Sequence, residues 1–133
     1  MKKIAVGIAL VLFLGVGVYV GAVFLSGSGG DKQEQTVLIP IEKDIIVNMK
    51  DGKSIVKANI SLEVVKSLKK EDVEAQTAKI RDLMIGILNS KTAEDYSSDQ
   101  IKETIKAEFI NAVHEKLGLE GIKNIYFNDF VTQ

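Results

Sequence analysis

The side chains that could do chemistry are few and poorly grouped. His114 is the only histidine, and cysteine and tryptophan are absent. A transition-metal site draws on several imidazole or thiolate donors, so one histidine beside an apolar helical stripe reads as ordinary helix surface. No serine lies in a strand-to-helix elbow, and no glycine-rich loop leads from a strand into a helix to cradle phosphates. The "GSGG" at 27–30 follows a long apolar run and reads as linker. The acidic stretches "EDVE" (71–74) and "EDYSSD" (94–99) fit helix starts, where the positive end of the helix favours carboxylates. General acid–base work would need some of them buried, and nothing in the pattern calls for that. The sequence therefore offers no catalytic, cofactor-binding or metal-binding residue, and it reads as a non-enzymatic protein without a small-molecule substrate.

Two other stretches suggest contact rather than catalysis. In "GVYVG", Gly17 and Gly21 are four residues apart and share one helix face, where small residues let a second membrane helix approach closely. In "NIYFNDFVTQ", three of the eight aromatic residues, Tyr126, Phe127 and Phe130, crowd together and are followed by Val131. These four read as inner strand or core, and as a candidate intersubunit edge, because a strand at the side of a sheet leaves one row of backbone groups free.

The elements that position these residues follow from hydropathy. The mean hydropathy of +0.13 is set by one segment, Ile4–Leu25, which holds no charged residue. As a helix it would span roughly 33 Å, enough for a hydrocarbon core of about 30 Å. A cleavable signal has a shorter apolar region, so a permanent anchor is the preferred reading and a cleaved signal the alternative. Lys2 and Lys3 place residues 1–3 in the cytoplasm and the remainder beyond the membrane. Residues 26–36 form a flexible polar linker, and 37–133 form one outer domain. Of the 17 Lys and Arg, all but Lys2 and Lys3 follow the anchor, leaving 15 against 18 Asp and Glu, a net charge of −3. Without a basic cluster the domain is not a nucleic-acid binder.

Within the outer domain, "VLIPIEKDIIVNMK" predicts a first strand. Asp51-Gly52 predicts a hairpin turn, and the alternation Val56, Ala58, Ile60, Leu62, Val64 predicts a second, half-buried strand. Val73, Ile80, Leu83, Met84, Ile87 and Leu88 share one helical face. Ile101, Ile105, Phe109, Val113 and Leu117 share another, in a helix capped by Ser97 or Ser98 and ended by Gly118. Ile122–Thr132 reads as a closing strand. The expected class is α+β, with a single transmembrane helix followed by a β-β-α-α-β domain whose two helices lie on one sheet face.

Three segments resemble one family along the chain. "VNMKDGKSIVKANISLEV" is similar to a "VNL-D" turn and alternating strand, "KIRDLMIGILNSKT" to an "IRD…SKT" helix, and "IYFNDFVTQ" to a closing "VYFTDFVVQ". These are features of FliL, the flagellar basal-body-associated family. Ile101 departs from the pattern, standing where a glycine would open the second helix. The resemblance implies an accessory role in flagellar motility at the cytoplasmic (inner) membrane and a domain like the stomatin/SPFH fold. It also implies a homo-oligomeric ring around the ion-driven MotA/MotB-type stator, supporting torque or stator retention. A stomatin-like membrane scaffold with no flagellar role, and a secreted binding module, are the alternative readings.

Overall fold

The computed structural model describes residues 33–133; the expected anchor at 4–25, with Gly17 and Gly21, lies outside them. Among the described residues no helix is long and apolar enough to cross a membrane. They form an α+β domain of four strands, β1 (Thr36–Pro40), β2 (Ile45–Asn48), β3 (Ile55–Val65) and β4 (Ile122–Thr132). Four helical segments lie between β3 and β4: α1 (Lys70–Ala75), α2 (Thr77–Asn89), α3 (Ala93–Tyr96) and α4 (Ile101–Leu117).

The strand with the clearest alternation is the centre of the sheet. β3 pairs antiparallel with β4 along one side and with β1 and β2, placed end to end, along the other. Its alternate residues Val56, Ala58, Ile60, Leu62 and Val64 are all at most 1% exposed. Burying each of the larger ones contributes about 1.5–3 kcal/mol. Beneath them pack Ile80, Met84 and Leu88 of α2 and Ile105, Phe109 and Val113 of α4. Leu83, Ile87 and Leu117 complete these faces as partly buried neighbours.

The expected single strand from Val37 to Lys50 is two strands, and the reason lies in three charged residues. From Ile41, whose N–H bonds Ile60, to Ile45, opposite Ala58, the run advances four residues while β3 moves two. The excess loops out at Glu42-Lys43-Asp44, with Lys43 in the left-handed region (φ 66°), a conformation that costs a non-glycine residue roughly 1–2 kcal/mol. Arg81 of α2 offsets this cost. Its guanidinium donates to the carbonyls of Glu42 (2.9 Å), Lys43 (2.8 Å) and Asp44 (3.0 Å), fixing a loop that no strand partner could hold.

The predicted first helix also divides, at Gln76, into α1 and α2. A short α3 then intervenes, started by a reciprocal cap in which Asp95 N–H bonds the Thr92 hydroxyl and Asp95 Oδ2 accepts from the Thr92 N–H. The Thr92 N–H, then the Thr92 hydroxyl, both donating to Oδ2, hold the Asp95 carboxyl below its usual range. Ser97 therefore ends α3 rather than capping α4. Gln100 precedes α4 with no side-chain cap, while Ser98 Oγ accepts from its N–H. Ile101 packs into the core at 8% exposure, which accounts for an apolar residue at that start. Gly118 closes α4 at φ 66°, and Gly52 turns the β2–β3 loop at φ 72°, both as expected.

Candidate functional site

All the described helices of the core lie on one side of the sheet, so among the described residues its other face is open. Strand alternation sends Leu38, Pro40 and Ile46 of β1 and β2 to this face, with Lys57, Asn59, Ser61 and Glu63 of β3 and Tyr126, Asp129 and Val131 of β4. The result is a polar midline between two apolar rails. Leu38 and Ile46 are 61% and 63% exposed, the most open large apolar side chains described.

The midline is fully bonded to itself. Lys57 Nζ bridges Asp44 (3.2 Å) and Asp129 (3.3 Å). Asn59 donates to Asp44 at 3.0 Å, and Asn128 donates to Asn59 at 2.9 Å and lies within bonding distance of Ser61. Thr36 and Tyr126 hydroxyls both donate to Glu63, at 2.8 and 2.9 Å. The Asn59 bond, then Lys57, holds the Asp44 carboxyl below its usual range, and Asp44, then Asp129, raises Lys57. Glu63 as acceptor and neighbouring charge raises the Tyr126 phenol. No carboxylate here is buried and ready for proton transfer. The arrangement is a self-bonded polar surface.

The two edges of the sheet differ. In antiparallel pairing, alternate N–H groups turn outward. The Ile41 bond to Ile60 puts the outward positions of β1 at Leu38 and Pro40, and proline has no N–H to offer. The Arg81-held loop interrupts the same edge immediately afterwards. Along β4, Gln133 and Ile55 exchange both bonds, so the outward N–H groups nearby belong to Phe130 and Thr132. Among the described residues no strand pairs with that edge. Two lysines of α4 reach it: Lys102 Nζ lies 5.4 Å from the Phe130 ring centroid and Lys106 Nζ 5.8 Å from that of Tyr126. Lys106 also pairs with Glu103 at 3.3 Å.

The residues singled out in the closing strand are thus divided. Phe127 and Phe130 are half-buried at the rim of the core and meet edge to face at 5.0 Å. Tyr126 (42%) and Val131 (39%) are exposed, and the strand's deepest residues are Ile122 and Ile125. Extra residues in β4 near Asn128 and Lys123 shift its register, so Phe127 and Phe130 face the helices although three apart. His114 is not plain helix surface. It is half-buried, with Nε2 2.7 Å from the Ile122 carbonyl, tying the end of α4 to the start of β4. Arg81 and the two edge lysines were not foreseen. The one available signal for Arg81 was the charged "EKD" inside an apolar run, which needs a partner once the strand breaks.

Behind Phe130 stands Tyr96, its ring 6.1 Å away and its hydroxyl donating 2.7 Å to the Leu88 carbonyl. Burial pushes its phenol up to about 12. A group whose folded value is raised contributes stability below its unfolded value and loses it as pH climbs through the folded one. The domain should therefore lose on the order of 2 kcal/mol between about pH 10 and 12. Urea unfolding across that range, beside Tyr96→Phe, checks it; an equally steep loss in the phenylalanine variant would refute the assignment.

Residues 38–133 match the model of the family described as flagellar basal body-associated protein FliL. The flagellar protein FliL of Aquifex aeolicus (strain VF5) is 31% identical over 102 residues, which cover 75% of this chain and 63% of that one. That of Bacillus subtilis (strain 168) is 26% identical over 91 residues, 68% of this chain and 64% of the relative. The chain thus spans a little under two thirds of the length of either relative.

Proposed function

This chain belongs to the FliL family of flagellar basal body-associated proteins, and from that premise we propose that it is a non-enzymatic accessory of the flagellar motor, anchored in the cytoplasmic membrane. The observation that carries this reading is the family match over residues 38–133, which takes in every helix described and all of the sheet but the first two residues of β1. In this reading residues 4–25 hold the chain in the bilayer, with Gly17 and Gly21 as a helix-packing face, and the linker up to residue 35, just before β1, sets the height of the domain. The outer domain, with a stomatin/SPFH-like plan, stands beyond the membrane.

Copies would close a ring around the MotA/MotB-type stator by head-to-tail contacts, which close only when the rotation per subunit permits. Such a ring supports torque by favouring the ion-conducting state of the stator. Binding shifts that equilibrium only through unequal affinity for its states, and a thirtyfold preference corresponds to about 2 kcal/mol.

The test is a gentle-detergent pull-down of the full-length tagged chain from its own membranes, with mass spectrometry of what accompanies it. Stator subunits in the eluate are the expected result. A self-oligomer that never carries a stator subunit would replace this reading with a general membrane scaffold, and a chain shortened by its first twenty-odd residues would remove the anchor from it.

A further inference from the structure

The unequal edges of the sheet indicate what the open one is for. An exposed strand edge is a template for any passing strand, and proteins blunt such edges with proline, bulges or charge. Here the β1/β2 edge is blunted twice, by Pro40 and by the loop on Arg81. The β4 edge has no proline; its register shifts at Lys123 and Asn128 leave Asp129–Thr132 as a regular run, with outward N–H groups at Phe130 and Thr132 and two cations resting on the aromatic rings of β4.

A second copy of the chain fits that edge poorly. Its β1/β2 side offers only two short strands, Thr36–Pro40, which ends in a proline, and Ile45–Asn48. Its own β4, laid antiparallel about a two-fold axis near Asn128, would bring Lys102 and Lys106 of one copy against those of the other. Like charges at that distance are unfavourable. The ammonium groups instead await carboxylates. Lys102 forms no ion pair among the described residues, and Lys106 has Glu103 alone, itself largely exposed.

We infer that the β4 edge is a docking site for an extended, acidic segment of another protein, which joins the sheet as an additional strand. Lys102 and Lys106, one helical turn apart, have Cβ atoms about 5–6 Å apart. Alternate residues of a strand are separated by about 6.6 Å and point the same way. The docked segment therefore carries acidic residues at alternate positions, facing α4. The residues between them are apolar and lie over Tyr126 and Val131 on the open face. Backbone bonds to Phe130 and Thr132 supply the docking, and the lysines select the sequence.

The experiment uses the full-length chain in detergent micelles and fluorescence anisotropy of labelled eight-residue peptides. One peptide alternates valine and glutamate, a second valine and lysine, and a third is the first with alternate amides N-methylated. The glutamate peptide should bind at least tenfold tighter than either of the others and slow amide exchange at Phe130 and Thr132. Lys102→Gln with Lys106→Gln should bring the glutamate peptide to the level of the lysine one. The circular dichroism of that variant should match the parent, which separates lost docking from lost fold. Equal binding of the acidic and basic peptides, or undiminished binding after N-methylation, would overturn the inference. So would protection of the Phe130 and Thr132 amides that rises with concentration of the chain alone, since that assigns the edge to a second copy.

Discussion

Phe109→Ala should lower the stability of the outer domain by about 3–5 kcal/mol, the largest loss from a single core truncation in this fold. Phe109 is fully buried and is the largest side chain in the centre of the helical layer, beneath β3 and beside Ile105 and Val113. Removing its ring leaves a cavity that the stiff, β-branched neighbours Ile80, Ile105 and Val113 cannot close. Domains of this size have roughly 5–15 kcal/mol in total, so the variant should sit near the threshold of folding. Urea unfolding should show a lower midpoint with an unchanged slope, and a loss under 1.5 kcal/mol would mean that the core relaxes into the space.

Arg81→Ala is expected to cost nearly as much, about 3 kcal/mol, although the side chain is only half-buried. Hydrogen bonds to a charged group contribute roughly 1.5–3 kcal/mol each and do not add fully, and here three end on one guanidinium. Without it, three carbonyls and the left-handed Lys43 remain with no partner on the helix side. Arg81→Lys should recover less than half, because one ammonium cannot reproduce a planar fork. The thermal midpoint of the alanine variant should fall by roughly 15 °C. Amide exchange should quicken first in β2, which depends on the loop for its position. Uniform acceleration across the domain would instead mean that Arg81 supports the core as a whole.

The contrast between these residues shows what was legible in the sequence. Phe109 could be placed at once, because its spacing from Ile105 and Val113 fixes a helix face and burial follows from the face. The same holds for β3, where strict alternation named all five inward residues. Arg81 could not be placed, because its partners are backbone carbonyls, which have no signature in side-chain pattern. The division of the first strand was hidden for a related reason: "IPIEKDII" has strand-forming residues on both sides, and only the three-dimensional register reveals the surplus. The open face was foreseeable as polar, but its Lys57–Asp44–Asp129 bridge joins residues up to 85 positions apart. The role of His114 is hidden in the sequence because its partner, the Ile122 carbonyl, belongs to the next element.

The loop on Arg81 also constrains how this part of the chain can change in length. A strand presents its side chains with a period of two. Because the loop adds an even number of residues, Ile39 before it and Ile45 after it both point inward. Taking out one residue would reverse the parity of all that follows, turning Ile45 to water and Ile46 to the helices. Taking out two would leave both faces intact and merely straighten the edge. Length variation here should therefore come in pairs, and an engineered chain lacking two of Glu42, Lys43 and Asp44 would keep its core while losing one of the two features that blunt this edge, with Pro40 left as the other.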